Sequence, residues 1–144
     1  MVYSRVSEKV YLIRLVRGEN VGESILNFCK KLEIANAALS GIGAVENPVI
    51  AYYNVKDKKF IEKSLKGDYE MISFLGNIAV FNNSPLLHAH VTLSDKNMRV
   101  FGGHFIKATI AASMEIVLQI FDTNYDKVYN DEVGLNLWNL PESL

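Results

Sequence analysis

The three histidines of this chain fall within one short stretch, as His88, His90 and His104. Residues 86–93 alternate polar and apolar side chains, which predicts a half-buried strand with His88, His90 and Thr92 on one face. The segment 94–97, Ser-Asp-Lys-Asn, has the composition of a turn, so a second strand carrying His104 is expected to fold back onto the first. Because imidazole nitrogens are common ligands of transition metals, the stretch predicts a metal site.

The register of this hairpin decides whether the three rings can meet. A loop at 95–97 would pair His88 with His104 and His90 with Gly102, and all three imidazoles would share one face. Directly opposed Cβ atoms lie about 4.5–5.5 Å apart and diagonal ones about 7–8 Å, so three nitrogens could reach one ion at about 2.0–2.1 Å each. Gly102, opposite His90, would leave room for the ion or its water. A slip of one residue would turn His104 to the other face.

Three neutral imidazoles plus a water molecule match the open coordination of catalytic zinc. Nickel, copper and cobalt also favour imidazole ligands, and zinc is preferred here because of its availability. The alternative is that the histidines are ordinary residues of a polar strand face, bonded to solvent or to neighbouring carbonyl groups.

A reaction at the metal would need a carboxylate close to the metal-bound water. Glu70 and Glu115 are the candidates, although each can also be read as an ordinary surface or salt-bridged glutamate. Cys29 falls on the apolar side of a predicted helix, which indicates a core residue and not a nucleophile.

Composition excludes several classes of protein. With 144 residues and 49% hydrophobic content, one domain over residues 1–144 is expected. The net charge of −1 lacks the basic excess that dominates nucleic-acid affinity. One cysteine excludes an internal disulfide, the first residues lack a signal-peptide core, and no apolar run reaches the length of a membrane span. We therefore expect a cytoplasmic protein without membrane contact.

The pattern of the chain predicts many strands and one main helix. Asn20 can cap that helix, which is expected to end near Leu32. Residues 105–112 fit either a short helix or an irregular crossing. The predicted fold class is α/β in the α+β sense, a mixed and mostly antiparallel sheet with one helix packed on it. The predicted strands cover residues 4–16, 35–45, 49–55, 59–65, 70–81, 86–93, 114–121 and 135–140.

Five motifs resemble one known family, in order and over almost the whole chain. The family is the PPC domain, for plant and prokaryote conserved. The resemblance implies a compact α/β domain that assembles as a homotrimer, and it implies that the three histidines, typical of prokaryotic members, form a metal site. The motifs are Gly41-Ile42-Gly43-Ala44, Gly67-Asp68-Tyr69-Glu70-Met71-Ile72, Gly76-Asn77-Ile78, His88-Ala89-His90-Val91 and Gly102-Gly103-His104.

In plants this domain is attached to AT-hook segments that bind DNA. The present chain has no Arg-Gly-Arg-Pro core, so the function of the hook does not carry over. Plant members also have arginine where this chain has Asp68, while Glu70 is in place. Free-standing prokaryotic members are called DNA-binding only because they share this domain with the plant proteins.

Three hypotheses follow for the function. The first is a zinc-binding homotrimer with a regulatory or interaction role. The second is a metal-dependent enzyme that activates water for a small-molecule substrate, and whether the chain is an enzyme stays open. The third is a protein that associates with DNA through the surface of the assembled trimer.

Overall fold

The computed structural model describes residues 1–141, which contain nine strands and one helix. The domain predicted over 1–144 therefore extends into residues 142–144, which lie outside the described part. The elements are β1 Val2–Arg5, β2 Val10–Val16, α1 Val21–Lys31, β3 Ala37–Asn54, β4 Lys59–Ser64, β5 Asp68–Phe81, β6 Ser84–Ser94, β7 Val100–Ile120, β8 Lys127–Asn130 and β9 Leu135–Trp138.

Seven strands form one antiparallel sheet in the order β1-β2-β7-β6-β5-β3-β4. Strand β3 also pairs with β7, so β3, β5, β6 and β7 close into a ring. The last two strands form a small separate hairpin. The prediction of a mostly antiparallel sheet with one main helix is confirmed.

Helix α1 covers one face of this sheet. The side chain of Asn20 accepts a hydrogen bond from the backbone N–H of Glu23 at 3.1 Å, which caps the helix as predicted. Its apolar face buries Val21, Ile25, Phe28 and Cys29 in the main hydrophobic core. Burial raises the pKa of the Cys29 thiol to about 12, so this cysteine is a packing residue. At 11 residues, the helix of the described chain is too short to cross a membrane.

The N-terminal prediction was wrong in one respect. The single strand expected over 4–16 is a hairpin of β1 and β2, because the guanidinium of Arg5 donates to the carbonyl oxygens of Ser7 and Glu8 and so stabilises a turn.

Two further differences concern continuity along the sheet. Residues 105–112 are neither helix nor crossing; they lie inside β7, which is extended because it hydrogen-bonds to β3 along much of its length. The strands expected at 35–45 and 49–55 are one strand, β3. Its register against β7 shifts between Glu46 and Val49, and Asn47 has a φ of 50°, so the bulge accommodates Pro48 without ending the strand.

The C-terminal hairpin is attached to the sheet by a buried asparagine. Asn36 is 1% exposed, and its amide group donates to the carbonyl oxygens of Ala35 and Tyr125 at 2.8 and 2.9 Å. Its Oδ1 accepts from the hydroxyl of Thr123 and the backbone N–H of Tyr125 at 3.1 and 2.7 Å. At the other end of the hairpin, the Tyr53 hydroxyl donates to the carbonyl oxygen of Val133. These contacts fix the path of the chain into β8.

Replacing Asn36 by leucine should lower the free energy of unfolding by at least about 2 kcal/mol, because both backbone polar groups of Tyr125 lose their partner. Thr123→Val removes one of the same bonds and should cost about 1 kcal/mol or less. Urea unfolding of the two variants checks the difference, and equal losses would contradict this account of the anchor.

Candidate metal centre

The hairpin that carries the histidines has a different register from the predicted one. His90 lies opposite His104, Thr92 opposite Gly102, and Ser94 opposite Val100. The predicted pairs, His88 with His104 and His90 with Gly102, are therefore wrong, by a shift of two residues along the strand.

Asp95 causes this shift, because its side chain stabilises a loop that runs to Arg99. Its Oδ1 accepts from the backbone N–H groups of Asn97 and Arg99 at 2.8 and 3.0 Å, and its Oδ2 accepts from the Arg99 guanidinium at 2.8 Å. The left-handed position is Met98, with a φ of 61°, and not Asn97. The loop is thus longer than the tight turn that the sequence suggested.

A shift of two residues preserves the face of every side chain, because successive residues alternate between faces. The three imidazoles therefore still share one face of the sheet. Gly102 is opposite Thr92, so the space beside His90 does not come from that glycine, as the sequence had suggested.

The three rings converge. Their centroids are separated by 5.4 Å for His88 and His90, 5.2 Å for His88 and His104, and 5.3 Å for His90 and His104. One nitrogen from each ring lies within 4.8 Å of the other two. Nitrogens bound tetrahedrally to zinc at 2.0–2.1 Å are about 3.3 Å apart, so ring movements of about 1.5 Å or less would bring these three to a common ion.

The cluster lies on the sheet face opposite the helix-covered core. Ala89 and Val91 are buried in that core, and His88 and His90 alternate with them. His90 is exposed, while His88 and His104 are half-buried. The centre is therefore open to solvent or to a neighbouring molecule on one side.

The electrostatic environment favours neutral imidazoles. Burial, together with the positive charge of Lys127 and the two other rings, lowers the pKa of His88 to about 4. Burial, His90 and Lys127 also lower the pKa of His104. A neutral imidazole keeps a nitrogen lone pair, which is the form that a metal ion needs. The donor set therefore fits a transition-metal ion.

The C-terminal hairpin places a lysine beside the cluster. The Nζ atom of Lys127 is 3.5 Å from Nδ1 of His88 and 5.4 Å from the ring centre of Trp138. The centroid of the Phe60 ring lies 4.7 Å from that of His104. Sequence reasoning missed Lys127 because it missed β8, although residues 127–130 and the strand expected at 135–140 flank turn residues and could have indicated a hairpin.

Asn77 is a second polar neighbour, which the sequence placed in a family motif but not beside the histidines. It lies directly opposite His88 in the pairing of β5 with β6, and its Oδ1 atom is buried without a hydrogen-bond partner within residues 1–141. Histidines that bind metals usually donate their second ring N–H to a carbonyl or carboxylate oxygen. An unpartnered amide oxygen beside His88 is consistent with such a site.

The two candidate carboxylates lie elsewhere. Glu70 and Glu115 are exposed and line the same cavity beside Ile42, and none of the three histidines lines it. Within residues 1–141, the metal-ligand cluster consists of the three imidazoles alone.

The family model of the Plants and Prokaryotes Conserved (PCC) domain, the same family as the PPC domain, matches residues 3–122. No curated protein matches the chain.

Several solved structures share the fold. A plant- and prokaryote-conserved protein of Pyrococcus horikoshii is 32% identical, covers 99% of this chain and 96% of its own, and has a TM-score of 0.87. A metal-containing protein of Archaeoglobus fulgidus is 31% identical over 96% of this chain and 98% of its own, with a TM-score of 0.85. A proposed DNA-binding protein of Ralstonia eutropha is 28% identical over 96% of each chain, with a TM-score of 0.89.

Close backbone packing at Gly76 positions the strand that carries His88. A Cβ added at Gly76 would lie 2.5 Å from the carbonyl oxygen of His88 and 2.7 Å from the Cβ of Ala89. Gly76→Ala should therefore displace β6 and lower the free energy of unfolding by about 1–3 kcal/mol. Gly22→Ala, whose Cβ would meet no atom closer than 3.6 Å, should be neutral or stabilising.

Urea unfolding and the NMR shifts of the three imidazole rings measure this effect. Unchanged stability and unchanged ring shifts in Gly76→Ala would show that β6 tolerates the added methyl group.

Proposed function

This chain belongs to the Plants and Prokaryotes Conserved domain family, and on that premise we propose that it is a zinc-binding member whose metal is held by His88, His90 and His104. The observation that carries the proposal is the convergence of three imidazoles on one sheet face. The description of the Archaeoglobus relative as metal-containing supports it. Nickel, copper and cobalt would accept the same ligands, and zinc is our choice among them.

We place a regulatory or interaction role before an enzymatic one. A zinc ion with three histidine ligands supplies a Lewis acid with a free fourth position. Hydrolysis would also need a general base, and the nominated carboxylates Glu70 and Glu115 lie at another cavity. The arrangement therefore supports binding of a ligand more directly than turnover.

The assembly that we propose is a homotrimer. The outer sheet face carries five apolar side chains that are each 45–59% exposed and that line one cavity, a grouping that favours a protein contact on this face. A second copy of the chain is the occupant that we propose for this face, and the number three follows the family resemblance. The exposed residues are Leu12, Ile42, Ile72, Leu75 and Val117.

This apolar face is continuous with the metal centre. Cross-strand pairs connect Leu12 to Val117, Val117 to Ser40, Ser40 to Leu75 and Leu75 to His90. A copy that covered the face would therefore border the histidine cluster. This neighbourhood supports a protein in which assembly and metal binding are linked.

DNA binding is the weaker alternative. The Ralstonia relative is described as a proposed DNA-binding protein. The present chain has a net charge of −1, whereas affinity for DNA depends largely on basic residues that neutralise phosphates. The charge therefore does not favour this function.

We further propose that the chain is one domain and acts in the cytoplasm, where the buried thiol of Cys29 would stay reduced.

Zinc content tests the first part of the proposal. Purified protein should bind about one zinc ion per chain, and His88→Ala, His90→Ala and His104→Ala should each weaken zinc binding by more than about 100-fold, because loss of a direct ligand costs more than loss of an outer partner. Thr92→Ala, on the same face of β6, is the matched control and should retain zinc. Elemental analysis and competition with a zinc chelator measure these values. Equal zinc binding in all five proteins would contradict the assignment.

Sedimentation tests the assembly. The chain has a mass of 16.2 kDa, and the wild-type protein should sediment at about three times that mass. Val117→Glu should shift it to the monomer without unfolding it, because a carboxylate would be buried in the proposed contact. Val55→Glu, at an exposed hairpin tip, should leave the mass unchanged. A monomeric wild type, or a trimeric Val117→Glu variant, would rule out this surface as the interface.

A further inference from the structure

Lys127 is a buried cation without a carboxylate partner within residues 1–141. Its residue is 5% exposed, although lysine is almost never fully buried unless it is paired. Its ammonium contacts the Nδ1 atom of His88 at 3.5 Å and the face of Trp138, and none of the salt bridges in this part of the chain includes it. The side chain therefore directs a positive charge at the histidine cluster.

The contact between Lys127 and His88 cannot persist once His88 binds a metal ion. An ammonium group only donates hydrogen bonds, so the contact is favourable only while Nδ1 of His88 has a free lone pair. If the metal binds Nδ1, the lone pair is used. If the metal binds the other ring nitrogen, Nδ1 carries the proton and can no longer accept. In both cases the ammonium loses its acceptor.

Within residues 1–141, the metal-loaded site would then hold two positive groups and no negative one. A divalent ion and a buried ammonium would both lie beside His88, and like charges in a poorly solvated site are strongly unfavourable. An anion between them would restore the balance, because it could bind the fourth position of the metal and accept a hydrogen bond from Lys127.

We propose that this centre binds a small organic carboxylate, with one oxygen on the metal ion and the other on the ammonium of Lys127. The inference rests on the proposed metal function and names the class of ligand for that site. Two anchoring groups match the two oxygens of a carboxylate. Phosphate is usually held by several N–H donors or by a bidentate arginine, and within residues 1–141 the described cation at this cluster is one ammonium.

The surroundings suit a carboxylate with an apolar or aromatic end. The Phe60 ring lies beside His104, and Tyr53 lies 4.8 Å from Phe60. The ring of Trp138 lies beside the ammonium of Lys127. These rings provide apolar surface next to both anchoring groups, so an aryl carboxylate should bind more tightly than acetate.

The test is titration calorimetry of the zinc-loaded wild-type protein with benzoate, acetate, benzamide and inorganic phosphate. Benzoate should bind, acetate more weakly, and the neutral isostere benzamide not measurably. Lys127→Met should weaken benzoate binding about 10- to 100-fold, the effect of one hydrogen bond to a charged group. Lys63→Met is the matched control, because its ammonium also contacts an aromatic ring, Phe101 at 5.8 Å, but no histidine; it should bind benzoate as the wild type does.

Zinc content, measured on the same samples, separates this proposal from the one on which it rests. Wild type and Lys127→Met should contain equal zinc, and the metal-free wild type should not bind benzoate. If zinc is bound but Lys127→Met binds benzoate as tightly as the wild type, or if benzamide competes equally, the carboxylate site is refuted while the metal site stands. Tighter binding of phosphate than of benzoate would also overturn it. Absence of zinc from the wild type would remove both proposals.

Discussion

Side chains of a strand alternate between two faces, and this alternation along β6 is the constraint on which the candidate site depends. Ala89 and Val91 are drawn into the core beneath helix α1, which forces His88 and His90 to the opposite face. The pairing of β6 with β5 and with β7 then fixes its register in the sheet. The two-residue turn at Asn82 and Asn83, both with positive φ, sets its pairing with β5, and the Asp95 loop sets its pairing with β7. His104 arrives opposite His90 for that reason.

Charge is the second consideration that connects the site to the rest of the chain. Burial and nearby positive charge, including the ammonium of Lys127, lower the pKa of His88 and of His104, so these two rings keep a free lone pair close to a lysine side chain. Such a site can hold a metal ion only if the positive charge of Lys127 is balanced as well. The C-terminal hairpin, which Asn36 and Tyr53 attach to the sheet, therefore supplies a charged group to the proposed site.

The outer face of the sheet has an apolar part and a part that carries the histidines, and Leu75 lies where the two adjoin. Toward β2 and β7 this face is apolar and exposed, and toward β6 it carries the histidines. In the proposed trimer, a neighbouring chain on the apolar part would limit access to the centre from one side.

The sequence by itself determined what local patterns can determine. Hydrophobic periodicity placed α1 with its Asn20 cap, period-two alternation placed most strands, and the spacing of His88, His90 and His104 gave their common face. That face survived a register error of two residues, because an even shift does not exchange the sides of a strand. The many strand patterns and the single helix pattern gave the fold class, and the ordered motifs gave the family resemblance.

Only the tertiary structure decided which distant residues meet. The true register depended on side-chain hydrogen bonds of Asp95, the continuity of β7 depended on its pairing with β3, and Lys127 reached His88 from a hairpin far along the chain. Glu70 and Glu115, which the sequence offered as carboxylates for a reaction at the metal, line a cavity that none of the three histidines lines. Periodicity records which side of an element faces the core, but contacts between remote elements depend on how the whole chain packs, and a local pattern contains no information about them.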